Sequence, residues 1–492
     1  MTFTDTTPED LSKTMQESHL AFLSYKNFSG KKKAGFLRAI ADEIEALGNT
    51  LVQTAMRETN LPEARIINER SRTTWHCRMF ADLVEEGSWI EARIDTALPN
   101  RMPAPKPDIR KMLVPIGPVV VFGAANFPLA YSTAGGDTAS ALAAGCTVVV
   151  KAHPAHAETS TLVASAIQKA MEKTGMPKGV FQHVYGAGFD VGQALVKHPL
   201  TKAVGFTGSF AGGKALFDLA NQRPEPIPVF AEMSSINPVM LLPETLSRDA
   251  ETTANKLAAS ITLGVGQFCT NPGLIIAIEG DGLNRFIQSL SSEIGKVLPG
   301  TMLHQGIADN YHKKLKETLA QKGVTVEGQA ADAGGKEQGR PLVASAPGEE
   351  FIKNPALAEE VFGPFSLIIR CRTIDELHAV VNRIRGQLTT TVIADEPELI
   401  KHRNLLNILA EKAGRIIMNG VPTGVEVCPS MMHGGPFPAT TDSRFTAVGT
   451  DAIKRFARPV AFQNFADALL PEELKNSNPL GIWRLVDGKW EK

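Results

Sequence analysis

The chain has 492 residues, of which 43% are hydrophobic and 21% are charged, the balance of an ordinary globular protein large enough for several domains. Its 51 Lys and Arg residues nearly cancel its 52 Asp and Glu residues, and only 6% of the chain is aromatic. Both values argue against a protein built mainly to bind nucleic acid or an anionic membrane. No run of 18 apolar residues occurs, so a transmembrane helix is not expected.

Five cysteines are spread along the chain, at Cys77, Cys146, Cys269, Cys371 and Cys428. Their odd number and the lack of CxxC spacing argue against a disulfide framework or a cysteine-based zinc site, and they favour a reducing compartment. The N-terminal segment MTFTDTTPEDLSK is polar and acidic, unlike a signal peptide. The sequence therefore predicts a cytoplasmic protein with no bound metal.

In chain order, residues 8–95 are predicted to be helical, with one helix over residues 63–86, because apolar residues recur at helical spacing. Five prolines from Pro99 to Pro115 predict an extended arm. From residue 116, valine-rich strands alternate with helices, which predicts a doubly wound parallel sheet. A second alternating region begins at VFAEMSSINPV and ends near residue 420, and residues 426–492 are expected to pack as a tail on another part of the protein.

Cys269 differs from the other cysteines because GVGQFCTNPG surrounds it with glycines and a proline, the composition of a tight turn. A lone cysteine is ordinarily a small buried hydrophobic residue, and this is the expected role of the other four. A thiol with a pKa near ~8.5 is mostly protonated at neutral pH. A nucleophilic Cys269 therefore needs a neighbouring group that activates it.

Three polar residues end predicted strands: Asn126, Lys151 and Glu232. Ligands of open α/β sheets bind beyond the carboxyl ends of the strands, so all three are candidates for a site. Each also has an ordinary role, as a turn asparagine, a surface lysine or a paired glutamate. The segment GFTGSFAGG adds a glycine-rich turn between a strand and a helix, and such helix N-termini suit phosphate groups.

Taken together, these motifs resemble those of the aldehyde dehydrogenase superfamily. GQFCTNPG is similar to the family's GQxCTxPG, FTGS with Gly213 to its FTGSxxxG cofactor turn, FAEMSS to its glutamate motif, and EEVFGP at residues 359–364 to its EExFGP motif. The motifs follow the family's order, and 37 residues separate Glu232 from Cys269. Longer segments, among them FGAANFPLAYSTAGGDTAS and DSRFTAVGTDAIKRFARPVAFQNF, resemble the branch that contains 2-oxoglutarate semialdehyde dehydrogenases and some bacterial fatty-aldehyde dehydrogenases.

The resemblance implies an α/β, aldehyde dehydrogenase-like fold with a doubly wound cofactor domain, an α/β catalytic domain and a small oligomerisation arm. The cofactor domain would comprise residues 1–96 and 116–231, and the catalytic domain residues 232–425. Residues 97–115 and 426–492 would form the arm and tail of a homodimer or homotetramer.

The chemistry that the resemblance implies is NAD(P)-dependent oxidation of a small-molecule aldehyde to a carboxylic acid. The expected substrate is 2-oxoglutarate semialdehyde, with a long-chain aldehyde as the alternative. Cys269 would attack the aldehyde, Asn126 and the Cys269 backbone N–H would hold the oxyanion, and Glu232 would activate water to release the acid. The implied cofactor contacts are Lys151 and Glu360 at the ribose hydroxyls, Phe362 at the nicotinamide, and Gly208, Ser209 and Gly213 near the pyrophosphate.

The sequence departs from the family pattern at two places. Ser234 and Ser235 stand where the glutamate motif has glycines, so the space around the glutamate or the cofactor is expected to change. Pro154 stands where NAD-preferring relatives carry a glutamate. Without that carboxylate, Lys151 and His153 would favour a 2′-phosphate, which makes NADP the expected cofactor and NAD the alternative.

A dicarboxylic semialdehyde needs a cation at the far end of its tunnel. Arg72 and Arg78 lie on the predicted helix that borders the tunnel mouth in this family, and both are candidates, although a helix arginine is ordinarily solvated or paired. Phe127 and Phe268 are expected to line the tunnel, with a place in the core as the alternative.

Three other functions remain as alternatives. A CoA-acylating relative would usually lack the glutamate base, and Glu232 is present. A cysteine hydrolase would need a histidine partner, and none of the 11 histidines stands in a recognisable hydrolase motif. A non-catalytic protein with the same fold would not need Cys269, Glu232 and Asn126 together.

Overall fold

The computed structural model describes residues 3–492 as two large sheets flanked by helices, a five-stranded mixed sheet and a two-stranded ribbon. The α-helices span Pro8–Tyr25, Gly30–Ala46, Gly48–Thr59, Glu63–Glu86, Gly136–Ala144, Ala157–Thr174, Asp190–Lys197, Phe210–Asn221, Pro243–Thr262, Asp281–Lys296, Gln305–Leu319, Gly348–Lys353, Ile374–Arg383, Glu396–Lys401 and Arg403–Lys412. None of them is long and apolar enough to cross a membrane, in the part of the chain from residue 3 onward.

The first large sheet is parallel throughout. In spatial order its strands are Phe181–Val184, Val148–Lys151, Val119–Phe122, Ala203–Thr207 and Val229–Glu232. Successive valines point to opposite faces, so Val119 and Val121 enter one hydrophobic core and Val120 enters the other. Helices cover both faces, and the predicted doubly wound sheet is confirmed.

The predicted helix over residues 63–86 is also confirmed, and it packs with Gly30–Ala46 on one face of the first sheet. The helical prediction fails at the end of the 8–95 region, where Arg93–Asp95 is a strand. That strand has a single buried residue between two exposed ones. Three residues are too few for a strand pattern to be distinguished from the helical pattern before it.

The second large sheet has seven strands. In spatial order they are Thr325–Gln329, Leu342–Pro347, Phe365–Cys371, Leu274–Ile278, Val239–Leu241, Gln387–Ile393 and Ala413–Met418. Only Thr325–Gln329 runs antiparallel to its neighbour. Cys269 lies just before Leu274–Ile278, at the amino end of this sheet, and Glu232 ends the edge strand of the first sheet. The site therefore lies where the two sheets meet.

The third sheet joins distant parts of the chain. Ile109–Pro115 pairs antiparallel with Ala457–Gln463 through seven residue pairs and also with Arg93–Asp95. Arg93–Asp95 pairs in turn with Arg484–Val486, which pairs with Lys489–Glu491. The end of the proline-rich arm is thus a sheet strand, and the tail packs on it. The ribbon consists of Gly300–Thr301 and Gln338–Gly339.

Candidate active site

The loop before Cys269 has a constrained backbone. Gly264, Val265 and Gly266 have φ angles of 55°, 59° and 65°, the left-handed region that glycine adopts most readily. A Cβ at position 266 would lie 2.3 Å from the carbonyl carbon of Gly363, so this glycine allows the loop to pack on the EEVFGP segment. Asn271 donates a 3.2 Å side-chain hydrogen bond to the same Gly363 carbonyl. The cysteine is therefore fixed against residues 359–364.

Cys269, Glu232 and His433 converge in the buried centre of the site. The Cys269 Sγ lies 3.6 Å from the Nε2 of His433, and that nitrogen lies 3.1 Å from a carboxylate oxygen of Glu232. His433 and Glu232 are buried, while Cys269 is partly exposed. One imidazole nitrogen thus contacts both the thiol and the carboxylate.

Burial raises the pKa of the Cys269 thiol well above its ordinary value, and the charge and hydrogen bonding of Glu232 raise it further. The positive charge of Arg72 opposes this increase in the pKa. In the protein without ligand, Cys269 is consequently a neutral thiol at pH 7. Activation requires that its proton move to an acceptor, and Glu232 and His433 are within reach.

Asn126 lies beside the cysteine loop, as the oxyanion role requires. Its side-chain Nδ2 donates a 3.2 Å hydrogen bond to the carbonyl oxygen of Gln267, two residues before Cys269. A primary amide has two N–H groups, so one remains for a substrate oxygen.

Phe127 and Phe268 pack against one another edge to face, with ring centroids 5.7 Å apart. The guanidinium of Arg65 covers both rings, at 4.2 Å and 4.5 Å from their centroids, and is paired with the buried Glu69. The structure thus places both predicted tunnel residues next to the cysteine loop.

The two predicted substrate arginines are in different environments. Arg72 donates a hydrogen bond to the carbonyl of Val425 and lies 5.9 Å from the ring of Tyr131. Arg78 is instead paired with Asp42 and Glu45 on the neighbouring helix. The structure therefore brings Arg72 toward the site but not Arg78, whose charge two carboxylates already neutralise.

The predicted adenosine side of the cofactor site contains a carboxylate that sequence reasoning missed. Asp5 accepts a 2.8 Å hydrogen bond from the backbone N–H of Ala187, in the glycine turn beside Lys151. Burial lowers the pKa of Lys151, and the negative charge of Asp5 opposes that change. Burial also lowers the pKa of His153 well below its ordinary value, so this imidazole is neutral at pH 7.

The predicted pyrophosphate turn has the shape such a group needs. Ser209 caps the helix Phe210–Asn221 by accepting a 3.2 Å hydrogen bond from the N–H of Gly212. A Cβ at Gly213 would lie 2.6 Å from the side chain of Met233, and one at Gly208 would lie 2.7 Å from the ring of Phe206. The glycines keep this helix N-terminus close to the sheet, where it can hold phosphate oxygens.

The serines that replace the motif glycines form hydrogen bonds rather than crowding the glutamate. The Ser234 hydroxyl donates to the carboxylate of Glu360 at 2.7 Å, and the Ser235 hydroxyl lies 3.0 Å from the side-chain oxygen of Gln387. Burial raises the pKa of Glu360 to about 7. Glu360 is thus held near the cysteine loop, and Phe362 follows two residues later, partly exposed.

Glu232, Cys269 and His433 also form a donor set for a metal ion, with all three donor atoms within 4.8 Å of one another. Thiolate, imidazole and carboxylate are the ligands of zinc. His433 itself was not predicted, because 164 residues separate it from Cys269 and only the tertiary fold joins them. The one local signal is the pair of glycines after it in MMHGGPFP.

Comparison with protein families matches residues 1–439 to the "Aldehyde dehydrogenase family". The chain is 51% identical over 482 residues to alpha-ketoglutaric semialdehyde dehydrogenase 2 of Azospirillum brasilense. The aligned region covers 98% of this chain and 92% of the relative. It is 47% identical to the alpha-ketoglutaric semialdehyde dehydrogenase of Acinetobacter baylyi, with 99% and 92% covered.

The fold is similar to that of solved structures. A betaine aldehyde dehydrogenase from Staphylococcus aureus in complex with NAD+ superposes with a TM-score of 0.79 at 20% identity, covering 94% of this chain and 89% of that chain. A 1-pyrroline-5-carboxylate dehydrogenase superposes with a TM-score of 0.77 at 19% identity, covering 94% and 86%. With the family match and the relatives at about half identity, these findings show that the chain belongs to the aldehyde dehydrogenase family.

Proposed function

We propose that this protein oxidises 2-oxoglutarate semialdehyde to 2-oxoglutarate. The observation that carries the proposal is the convergence of Cys269 with Glu232 and His433, in a chain about half identical over nearly its whole length to two alpha-ketoglutaric semialdehyde dehydrogenases. A long-chain aldehyde remains the alternative substrate. The aromatic rings of Phe127 and Phe268, which pack beside the cysteine loop, support it.

The reaction begins when the Cys269 thiol loses its proton and the sulfur attacks the aldehyde carbon. Glu232 or His433 receives the proton, and the remaining N–H of Asn126 with the Cys269 backbone N–H stabilises the oxyanion. The hemithioacetal carbon then gives up a hydride, and acceptance of that hydride is the chemistry that a bound pyridine nucleotide would supply. The carbon is thereby oxidised to a thioester on Cys269.

Hydrolysis then releases the product. Glu232 removes a proton from a water molecule, and the oxygen attacks the thioester carbon. The bond from carbon to sulfur breaks, the carboxylic acid leaves, and Cys269 takes up a proton to return to the thiol. The 3.1 Å contact with His433 positions the Glu232 carboxylate for this step.

Lys151, the helix N-terminus after Ser209 and Glu360 would hold the cofactor, NAD or NADP. The fit rests on the glycines that keep this helix close to the sheet and on the hydroxyl of Ser234 that orients Glu360. The sequence predicts NADP. The neutral His153 and the carboxylate of Asp5 instead favour NAD, because an acidic group suits a ribose hydroxyl and repels a 2′-phosphate.

We also propose that the protein acts as a homodimer or homotetramer in a reducing compartment such as the cytoplasm. All five cysteines are free, which agrees with that compartment. Neither nucleic acid nor a membrane is an expected partner.

The experiment is a spectrophotometric assay at 340 nm with NAD or NADP. The purified protein is offered 2-oxoglutarate semialdehyde, succinate semialdehyde and a long-chain aldehyde, with Cys269→Ala as the control. We expect the highest kcat/KM with 2-oxoglutarate semialdehyde. A higher value with the long-chain aldehyde would transfer the assignment to that substrate, and turnover that survives in Cys269→Ala would refute the cysteine mechanism.

A further inference from the structure

Two guanidinium groups are fixed on one loop at the edge of the site. Arg72 comes from the helix Glu63–Glu86, and Arg415 comes from the edge strand Ala413–Met418. Arg72 donates to the carbonyl of Val425. Arg415 donates to the carbonyl of Gly424 at 3.1 Å and to that of Pro422 at 3.0 Å. The loop of residues 422–425 therefore holds both groups by neutral backbone oxygens.

Neither of these arginines has a carboxylate partner among residues 3–492. This separates them from Arg65, which is paired with Glu69, and from Arg78, which is paired with Asp42 and Glu45. Carbonyl oxygens satisfy hydrogen bonds but leave the charge uncompensated, and both arginines are partly withdrawn from water, where an unpaired charge is costly. An anion that binds there would recover this cost.

Two buried polar groups beside these arginines have no hydrogen-bond partner in the part of the chain that the structure describes. The Nε of Arg415 is buried without a partner, and so is the hydroxyl of Tyr131, whose ring lies 5.9 Å from the guanidinium of Arg72. Burial lowers the pKa of Arg415, and Cys269 and Tyr131 are close enough that a negative charge on either would oppose this change. The ring of Tyr131 lies 6.1 Å from that of His433, which contacts Cys269, so Tyr131 joins Arg72 to the centre of the site.

We propose that Arg72 and Arg415 form a binding subsite for the carboxylate of an ω-aldehyde acid whose aldehyde end reaches Cys269. The inference rests on the proposed function and adds the residues that select the substrate. Guanidinium groups bind carboxylates through paired N–H donors, so two of them can hold the carboxylate and the adjacent ketone oxygen of a 2-oxo acid. Arg415 is then a residue that determines specificity.

The first test compares a charged and an uncharged aldehyde of similar length. In Arg415→Ala and Arg72→Ala, kcat/KM for 2-oxoglutarate semialdehyde should fall about 10- to 100-fold, the cost of a lost charged hydrogen bond. The kcat/KM for pentanal, which has no carboxylate, should fall far less, and an unchanged circular dichroism spectrum and melting temperature should show that the variants fold. Arg415→Lys should recover part of the loss, because lysine keeps the charge without the planar fork. Arg38→Ala, which removes a surface arginine paired with Asp82 and Glu85, is the matched control.

The second test measures binding without turnover. In the protein as isolated, 2-oxopentanoate should slow the alkylation of Cys269 by iodoacetamide, whereas 2-pentanone, which lacks the carboxylate, should not. Arg415→Ala should abolish this protection. Protection lost in the variant would support the subsite even if no aldehyde were oxidised and the proposed function failed. The subsite would be overturned if kcat/KM fell equally for both aldehydes and if 2-oxopentanoate still protected Cys269 in Arg415→Ala. The proposed function would remain intact.

Discussion

At the scale of single residues, the reactivity of the site depends on two buried groups around one thiol. Glu232 makes the thiol of Cys269 harder to ionise, because its charge and hydrogen bonding add to the effect of burial on the thiol pKa. In the proposed mechanism the same carboxylate later activates water. The residue proposed to promote hydrolysis therefore also favours the neutral form of the nucleophile.

Glu232→Gln should accordingly have opposite effects on labelling and on turnover. Removing the negative charge lowers the pKa of Cys269, so more thiolate is present at pH 7 to 8 and iodoacetamide labels it faster. Steady-state turnover should fall, by about 10²-fold or more, because the proposed general base is lost. The measurement is the labelling rate against pH beside kcat. Glu360→Gln should change labelling less, since Glu360 has the smallest effect on the thiol pKa, and slower labelling in Glu232→Gln would contradict the argument.

Zinc should inhibit the protein through Cys269, Glu232 and His433. A tetrahedral zinc ion with usual bond lengths holds its sulfur and nitrogen ligands about 3.5 Å apart, and here the two atoms are 3.6 Å apart. Zn²⁺ should block turnover and labelling of Cys269, and a chelator should restore both. Co²⁺ should give a thiolate charge-transfer band that is absent from Cys269→Ala. His433→Gln should bind Co²⁺ more weakly, and identical binding by that variant would exclude a three-ligand site.

At the scale of elements, local patterns predict the first sheet and its helices well but not the third sheet. Valine runs such as Val119–Phe122 and Val148–Lys151 are buried on both sides, and they are short enough to be distinguished from helices. Ile109–Pro115 pairs with Ala457–Gln463 across more than 300 residues, and no local pattern indicates that partner.

Some residues of the candidate site can likewise be predicted from local motifs, and others cannot. Cys269, Glu232 and Asn126 lie in short motifs that the sequence alone identifies, and the structure brings them together. The sequence contains no such motif around His433, Arg415 or Asp5. Only tertiary packing brings His433 to the thiol of Cys269 and Arg415 to the edge of the site. It also brings Asp5 to the turn beside Lys151.

The N-terminal segment of residues 3–6 should influence the choice of cofactor. Phe3 stacks on Tyr185 at 4.9 Å, Thr6 exchanges backbone and side-chain hydrogen bonds with the same residue, and Asp5 caps the turn at Ala187. Asp5→Asn should therefore raise the ratio of kcat/KM for NADP to that for NAD, because a charge that repels the 2′-phosphate is removed. Dissociation constants from cofactor titration should change in the same direction. Asp82→Asn, on a distant surface, serves as the control, and an unchanged ratio in Asp5→Asn would contradict this role.

At the scale of the whole molecule, the third sheet leaves large apolar side chains in solvent. Trp490 on its edge strand Lys489–Glu491 is 65% exposed, and Trp483 just before Arg484–Val486 is 46% exposed. Leu469, in the tail that packs on this sheet, is 73% exposed. Exposed edge strands with apolar side chains are natural places for a second chain to pair. This surface, far along the chain from the catalytic motifs, fits the expected role of the arm and tail in oligomerisation.

Light scattering coupled to size-exclusion chromatography should therefore give a mass of two or four times the 52.9 kDa chain. Trp490→Glu should lower that mass or make it depend on protein concentration, because a charge on the edge strand opposes pairing with another chain. Leu298→Glu is the matched control, since Leu298 is 76% exposed but lies outside the third sheet, and it should leave the mass unchanged. A monomer in the unaltered protein would refute the oligomer. If Trp490→Glu left the oligomer mass unchanged, the interface would lie on another surface.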